Sequence, residues 1–373
     1  MSKNFNRAVR TMALALLVCC MIVPALAQEQ PSDDLAVNGP AVAKYAVLPL
    51  RLQPDYATAP PATPLQTWSG SFTYHSVNYP YVMVGQAPST GLSTSVPTYL
   101  IPVKVIITTG TTQTVYNPNH VLLNGNTVTK NTKLSPIFDK TTTYIQGGVN
   151  VGTTQYVDAY QRADFWGTVQ SKPNYHVLLG GPIVLAQQTL SPPSTKGHNG
   201  TPFGFPAAEV DINWFDGQLQ GILASFPQIT PHSFVIFLTY NVYLTQGGCC
   251  IGGYHTAIGT ASGIQTYSEF TYVNHPVFSQ DVSALSHEVG EWMMDPLTNG
   301  GNNSPCGIME NGDPLENGQP GHPYGDWAYT LNGFTYHLQD LTTLPYFGAP
   351  PSTSVNGWLS FQNAALSVCS NGS

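Results

Sequence analysis

The chain has 373 residues, of which only 9% are charged and 42% hydrophobic, with 12 Lys/Arg against 20 Asp/Glu. So acidic a balance gives no electrostatic case for binding nucleic acid or an anionic membrane surface. A charged fraction this far below the ordinary ~25% leaves the surface to Thr, Asn, Ser, Gln, Gly and Tyr, as in extracellular β-rich proteins.

Residues 1–27 form a leader. Lys3, Arg7 and Arg10 precede an apolar run from Met12 to Leu26, and Ala25-Leu26-Ala27 is an A-x-A cleavage signal. The run is short for a membrane span, and no second run of spanning length follows. Cys19 and Cys20 offer a lipoprotein alternative, which Val18 fits poorly. Of the 12 basic residues 3 lie in this leader, which leaves 9 against 20 acids in the exported chain. Export makes Cys249, Cys250, Cys306 and Cys369 candidates for two disulfides in any of three pairings. The adjacent Cys249 and Cys250 are expected to bond outward, to the loop beyond the site and to the C-terminus.

Residues 28–66 are rich in Pro and Ala and aperiodic, the composition of a linker. From Trp68 short strands follow: S-G-S-F-T-Y-H-S-V, Y-P-Y-V-M-V-G, V-P-T-Y-L-I-P-V-K-V-I-I-T and T-Q-T-V-Y-N. Thr153 to Val169 is amphipathic and predicts a helix, with Asp158 and Arg162 one turn apart as a local ion pair. A strand at His176 to Leu179 comes next. The Pro/Gly-rich stretch Leu190 to Pro206 divides a β-rich part (67–196) from a second part (197–373), with a single domain over 67–373 as the alternative. Asn199 opens an N-G-T glycosylation signal that counts only in a eukaryotic host. A helix (Asn213 to Ser225), an apolar strand (Ser233 to Leu244), C-C-I-G-G-Y-H and a strand (Gln265 to Val273) lead to Ser283–Asp295. The remainder, from Gly300, is loop-rich.

The stretch S-A-L-S-H-E-V-G-E-W-M-M-D predicts a helix ended by Pro296 and capped by Asp281. Val282, Leu285, Val289, Trp292 and Met293 form its apolar face. His287, Glu291 and Asp295 stack at i, i+4, i+8 as a polar stripe. H-E-x-x-E is a variant of the zinc-peptidase helix H-E-x-x-H, in which residues one turn apart ligate the metal and the intervening Glu is the general base. His287 and Glu291 are therefore the candidate ligands, and Glu288 the candidate base. Glu310 in M-E-N-G-D is the expected third ligand, with Asp313 as its alternative or partner. Asp295, before Pro296, suits a turn; His255, His322 and His337 are taken as structural.

A second argument points the same way. From Gly197 to Ser373, 177 residues contain no Lys or Arg but 13 carboxylates, and Glu288, Glu291, Asp295, Glu310, Asp313 and Glu316 fall within 29 positions. A partly buried carboxylate must be paired, hydrogen-bonded, protonated or metal-bound. With no local cation, a divalent metal is the economical counter-charge: Zn²⁺, with Mn²⁺ or Ca²⁺ also compatible with a His/Glu/Glu set.

H-E-V-G-E-W-M-M-D-P followed by E-N-G-D resembles the pattern of the exordium-like (phosphate-induced) secreted proteins. Their C-G-Y-H is echoed by Cys250 to His255 with two inserted residues, and their closing cysteine by Cys369. The chain also resembles a group of bacterial secreted proteins that share the H-E-x-x-E segment and a C-terminal L-P-Y-F-G-A-P. Both resemblances imply an α+β fold whose zincin-like lobe packs the site helix on a mixed sheet, preceded by a β-rich N-terminal segment. The expected function is that of a secreted metal-dependent hydrolase, of metallopeptidase type, acting on an extracellular peptide or cell-wall substrate. The competing expectation is a non-catalytic extracellular module, binding cell-wall glycan or a partner around a structural or degenerate metal site. A glycosidase ranks third, because adjacent turns of one helix rarely place two carboxylates on opposite sides of a sugar.

Overall fold

The computed structural model describes residues 44–52, 64–74, 76–298, 326–339, 342–343, 350, 354–355 and 358–363. The leader, Glu310, Asp313, His322, Cys306 and Cys369 lie outside the described residues.

Two short strands, β1 (Lys44–Val47) and β2 (Arg51–Leu52), stand inside the stretch whose composition is that of a linker. A hairpin follows, β3 (Thr67–Tyr74) and β4 (Val77–Val84), then β5 (Thr94–Thr109) and β6 (Thr112–Tyr116). Next come α1 (Val128–Lys133), the ribbon of β7 (Thr143–Gln146) and β8 (Val149–Thr153), and helices α2 (Tyr156–Asp164) and α3 (Trp166–Val169). Strands β9 (Val177–Val184), β10 (Gln188–Leu190), β11 (Gly197–Gly200) and β12 (Ala207–Asp211) lead into α4 (Ile212–Ser225). Then β13 (Phe234–Tyr240), β14 (Val242–Thr245), β15 (Cys249–Thr260) and β16 (Gly263–Tyr272) precede α5 (Ser283–Met294). The described C-terminal residues form a hairpin, β17 (Asp326–Leu331) with β18 (Phe334–Gln339), and a small sheet of β19 (Thr342–Thr343), β20 (Ser354–Val355) and β21 (Trp358–Ser360).

A mixed sheet of 12 strands organises the molecule, in the order β10-β5-β13-β16-β15-β14-β12-β11. β6 and β9 add to β5, while β1 and β2 run parallel to β15. The apolar run F-V-I-F-L-T-Y of β13 suits a central strand covered on both faces, and it lies parallel to both β5 and β16. Asn241, at φ 53, divides the single strand expected over Ser233 to Leu244 into β13 and β14; Asn tolerates the left-handed region better than most residues. The sheet nearly closes, because Asn199 on β11 accepts from Tyr116 Oη at 2.9 Å and donates to Thr114 Oγ1 at 3.1 Å, both on β6. Strands from both sides of Leu190 to Pro206 share this sheet, so the described residues from Lys44 onward belong to one compact unit. The architecture is α+β. Among the described residues no helix is long and apolar enough to cross a membrane.

Each face of the sheet carries its own core. On one face α5 buries Leu285, Val289, Trp292 and Met293 among Phe234, Phe270 and Tyr272, with α2 packed behind it. Trp292 stacks on Phe234 with centroids 3.9 Å apart and donates its indole N–H to Thr266 Oγ1 at 3.0 Å. Truncating such a buried Trp to Ala costs about 3–5 kcal/mol. On the other face α4 packs Phe215, Leu219 and Leu223 against Phe237, Ile251, Tyr254 and Tyr267.

Three local expectations change. The helix expected from Thr153 to Val169 is two helices broken at Phe165, and every residue of α2 is buried. Arg162 does not pair directly with Asp158; it donates to the carbonyls of Val151 (2.6 Å), Lys172 (3.4 Å) and Tyr175. Asp158 instead accepts from Thr154 Oγ1 (2.7 Å), His176 Nδ1 (2.7 Å) and the Val177 amide (2.6 Å). Buried side chains need a partner for each donor, and backbone carbonyls can accept from a guanidinium. Cys249 and Cys250 are bonded to each other rather than outward.

A candidate metal centre between strand β15 and helix α5

Helix α5 begins at Ser283 and ends at Met294, with Asp295 as its C-cap. Its N-terminus departs from expectation. Val282 is the N-cap residue, and Asp281 stands one position earlier at φ 40. The Asp281 carboxylate accepts from the Val282 amide (2.5 Å), the His337 amide (2.9 Å) and His337 Nδ1 (2.7 Å). It thus ties the helix start to β18, and His337 is structural. Ser286 Oγ adds a second tie by accepting from the Gln339 amide at 2.7 Å.

All of α5 is buried, the polar stripe included: His287 and Glu288 are 0% exposed, Glu291 1% and Asp295 5%. The two-faced pattern of the sequence therefore does not mark a solvated side. A strand brings the complementary group. His255, on β15, points from the sheet into the same space, and its Nδ1 lies 3.3 Å from Glu288 Oε2 and 3.2 Å from Glu291 Oε2. His287 Nε2 lies 3.0 Å from Glu291 Oε1. One ligand atom each from His255, Glu288 and Glu291 falls within 4.8 Å of the others, so this buried trio can hold a metal ion.

Glycine makes the approach possible. A Cβ on Gly253 would sit 2.9 Å from Glu288 Oε1 and equally close to the Glu269 carbonyl oxygen. A strand glycine often marks such close passage of a neighbour. Tyr254, between Gly253 and His255, points through the opposite face to Asp216, as alternation along a strand requires.

The electrostatics fit a cation. Burial pushes the Glu288 carboxyl up to about 8, against the pull of its His255 hydrogen bond and the His287 charge, with the negative charge of Glu291 adding to the rise. Burial raises Glu291 as well, but the charges and hydrogen bonds of His287 and His255 outweigh it and hold this carboxyl down at about 2. Glu288 Oε1 has no hydrogen-bond partner among the described residues, the kind of buried oxygen that asks for an ion or a proton. The ion-pair partners of Glu288 and Glu291 among the described residues are histidines only. The two described basic residues that pair with C-terminal acids do so elsewhere, Arg51 with Asp216 and Lys196 with Asp211.

The trio differs in membership from the set read from the motif. Glu291 belongs to both. His287 stands beside the trio, against Glu291; Glu288, assigned as base, lies within it. Glu310 and Asp313 fall outside the described residues. His255, which the sequence reads as structural, belongs to the trio, and the signal that marks it is the G-G-Y-H run inside an otherwise bulky strand. No family model, no curated protein and no solved structure matches the chain.

Proposed function

We propose that the protein is an exported metal-dependent hydrolase of metallopeptidase type, with Zn²⁺ as its metal and extracellular peptide or cell-wall material as its substrate class. One observation carries this reading: His255, Glu288 and Glu291 converge from a strand and a helix into a buried space where no described Lys or Arg balances the acids. His255 and Glu291 are assigned as ligands, joined by His287 through its place on Glu291. A divalent metal there supplies Lewis acidity and lowers the pKa of a coordinated water. Glu288 Oε1 would be the acceptor for a proton from such a water and the donor of that proton to the leaving group. The H-E-x-x-E helix supports Glu291 as a ligand and Glu288 as the base, and the resemblance to zincin-like secreted proteins supports the hydrolase class.

The test is Glu288→Gln, which keeps the shape and an oxygen donor but cannot accept the proton. The variant is expected to retain about one zinc per chain by elemental analysis while peptide turnover falls by roughly 10²–10⁴. Wild-type turnover in Glu288→Gln overturns the assignment of the base; a wild type that takes up no metal overturns the whole reading.

A second reading is favoured by burial itself. The trio is at most 1% exposed, and it lines neither the cavity beside Arg162 and Trp166 nor the one beside Tyr116 and Asn199. A non-catalytic extracellular module with a structural metal predicts bound metal, no turnover by the wild type, and a large loss of stability on chelation.

A further inference from the structure

Beside β8, α2 and α3, a cavity of about 340 Å³ opens to the surface among Asn150, Gly152, Thr153, Arg162, Trp166 and Gln170. Its volume is at the lower end for small-molecule sites, which run from about 300 to 1,000 Å³. At its floor lies a guanidinium that is almost wholly buried, with Arg162 only 3% exposed. Three backbone carbonyls fix it: Nε donates to Val151, and Nη1 to Tyr175 and Lys172. These carbonyls orient the group and leave its positive charge in place. Asp158, one helical turn before Arg162, is engaged by Thr154, His176 and the Val177 amide. Nη2 has no hydrogen-bond partner in the protein among the described residues, so two N–H donors remain on a charged, immobilised group. Gly152, at φ 149, lets β8 lie flat on the guanidinium; a Cβ there would come within 3.3 Å of Nε.

The walls supply a different chemistry. Trp166 is half-buried, with its ring centroid 5.8 Å from the Arg162 carbon, and presents an aromatic surface. Asn150 spends its Oδ1 on the Gly152 amide, which leaves the Nδ2 donors for a ligand. Gln170 donates weakly to the Gly167 carbonyl and keeps its Oε1 acceptor. One fixed positive charge, one aromatic wall and neutral amides do not match a polyphosphate, which needs several cations. They match a ligand with one carboxylate, a hydroxylated body and a C–H face. The charge distribution agrees, since every Lys and Arg of the chain lies at or before Lys196 while 13 of its 20 acids lie after it.

We propose that this cavity is a carbohydrate subsite for a carboxylate-bearing pyranose, a hexuronate unit. Its carboxylate meets Arg162 Nη2, and its ring lies against Trp166. The site shares no residue with the metal trio, so it neither needs nor tests the hydrolase reading.

The probe is D-glucuronate, titrated by calorimetry into the full protein with and without chelator, beside D-glucose and acetate. Saturable millimolar binding of glucuronate is expected, unchanged by chelator, with glucose and acetate each at least tenfold weaker. Because Arg162 also fixes three carbonyls, its replacement can unfold the region, so the variants are Trp166→Ala and Gln170→Ala with thermal melting as the folding control. Trp166→Ala is expected to weaken glucuronate at least tenfold and Gln170→Ala about threefold. Acetate binding as tightly as glucuronate overturns the sugar assignment, and so does a folded Trp166→Ala with wild-type affinity. No saturable glucuronate binding removes the site altogether.

Discussion

Strand β15 separates two buried groups of acids that the protein treats in opposite ways. On the α4 face, Asp216 is 1% exposed and accepts four hydrogen bonds: Tyr254 and Tyr267 Oη on Oδ1 (3.0 and 2.6 Å), Arg51 and Gln220 on Oδ2 (3.0 and 2.8 Å). On the α5 face, one residue further along the strand, His255 meets Glu288 and Glu291, and two of the four carboxylate oxygens, Glu288 Oε1 and Glu291 Oε1, make no hydrogen bond among the described residues, the second lying 3.0 Å from His287 Nε2. A third case sits between them. Glu269, on β16, is fully buried and accepts one bond, from Thr239 Oγ1 at 2.9 Å. Burial raises its carboxyl well above the usual range, against the pull of the Thr239 hydrogen bond and with the charge of Glu288 adding to the rise, which favours the neutral form. Donors, a proton and a metal are the three ways to accommodate a buried acid. The comparison teaches that a carboxylate kept for architecture arrives with its donors, whereas an oxygen left uncommitted, as on Glu288 Oε1 and Glu269 Oε2, leaves room for an ion or a proton.

If that contrast is right, chelation strikes one face only. At metal a thousandfold above Kd, binding stabilises the fold by about 4 kcal/mol, which for a domain this large is a melting shift on the order of 10 °C. The shift should vanish in Glu291→Ala and His255→Ala, and an equal melting temperature with zinc and with EDTA would break the comparison at its centre. Asp216→Ala is the converse. It strands two buried tyrosine hydroxyls and frees β2, at a cost of about 3 kcal/mol in urea unfolding, yet its zinc stoichiometry should match the wild type. Loss of zinc there would mean that the two faces are one coupled unit.

Glu269 sharpens the middle case through pH. Its folded-state pKa is raised, so the native protein holds a proton that the unfolded chain releases above about pH 4.5. This contribution is therefore full below that pH and declines by about 1.4 kcal/mol per unit above it, until the folded pKa is passed. Glu269→Gln removes the ionisable group and should flatten the fall in urea stability between pH 5 and pH 8; parallel pH profiles for variant and wild type would show that Glu269 is ionised in the fold.

Much of α5 was legible. Its apolar spacing and Pro296 fix the helix to within one residue of its observed end, and the absence of Lys and Arg after residue 196 pointed to a metal near its carboxylates. The burial of its polar stripe was not legible, since periodicity reports two faces and says nothing of what covers the second. His255 was hidden by distance, 33 residues before Glu288 on a strand whose alternation alone decides which face it takes. The same holds for Asp216, whose partners Arg51, Tyr254 and Tyr267 come from three separate strands. Strand order, and with it the company a buried acid keeps, is a property of long-range pairing that local pattern does not encode.

The smallest effect tests how finely the α5 face is built. Ser268 is the register partner of His255 across β15 and β16, and directly paired residues of an antiparallel pair share a face. Its Oγ is buried with no hydrogen-bond partner among the described residues. With a metal bound, a histidine that turns Nδ1 toward it would carry its proton on Nε2, and the Ser268 hydroxyl on the paired strand would then be an acceptor that could fix the ring. Removing such support ordinarily costs about 10–100-fold in metal affinity, while Oγ has no bond within the fold to lose. Ser268→Ala should therefore raise the zinc Kd about tenfold in chelator competition with stability within ~1 kcal/mol of wild type. Unchanged affinity would mean that packing alone orients His255, and that the uncommitted oxygens on this face are set by α5 rather than by the sheet.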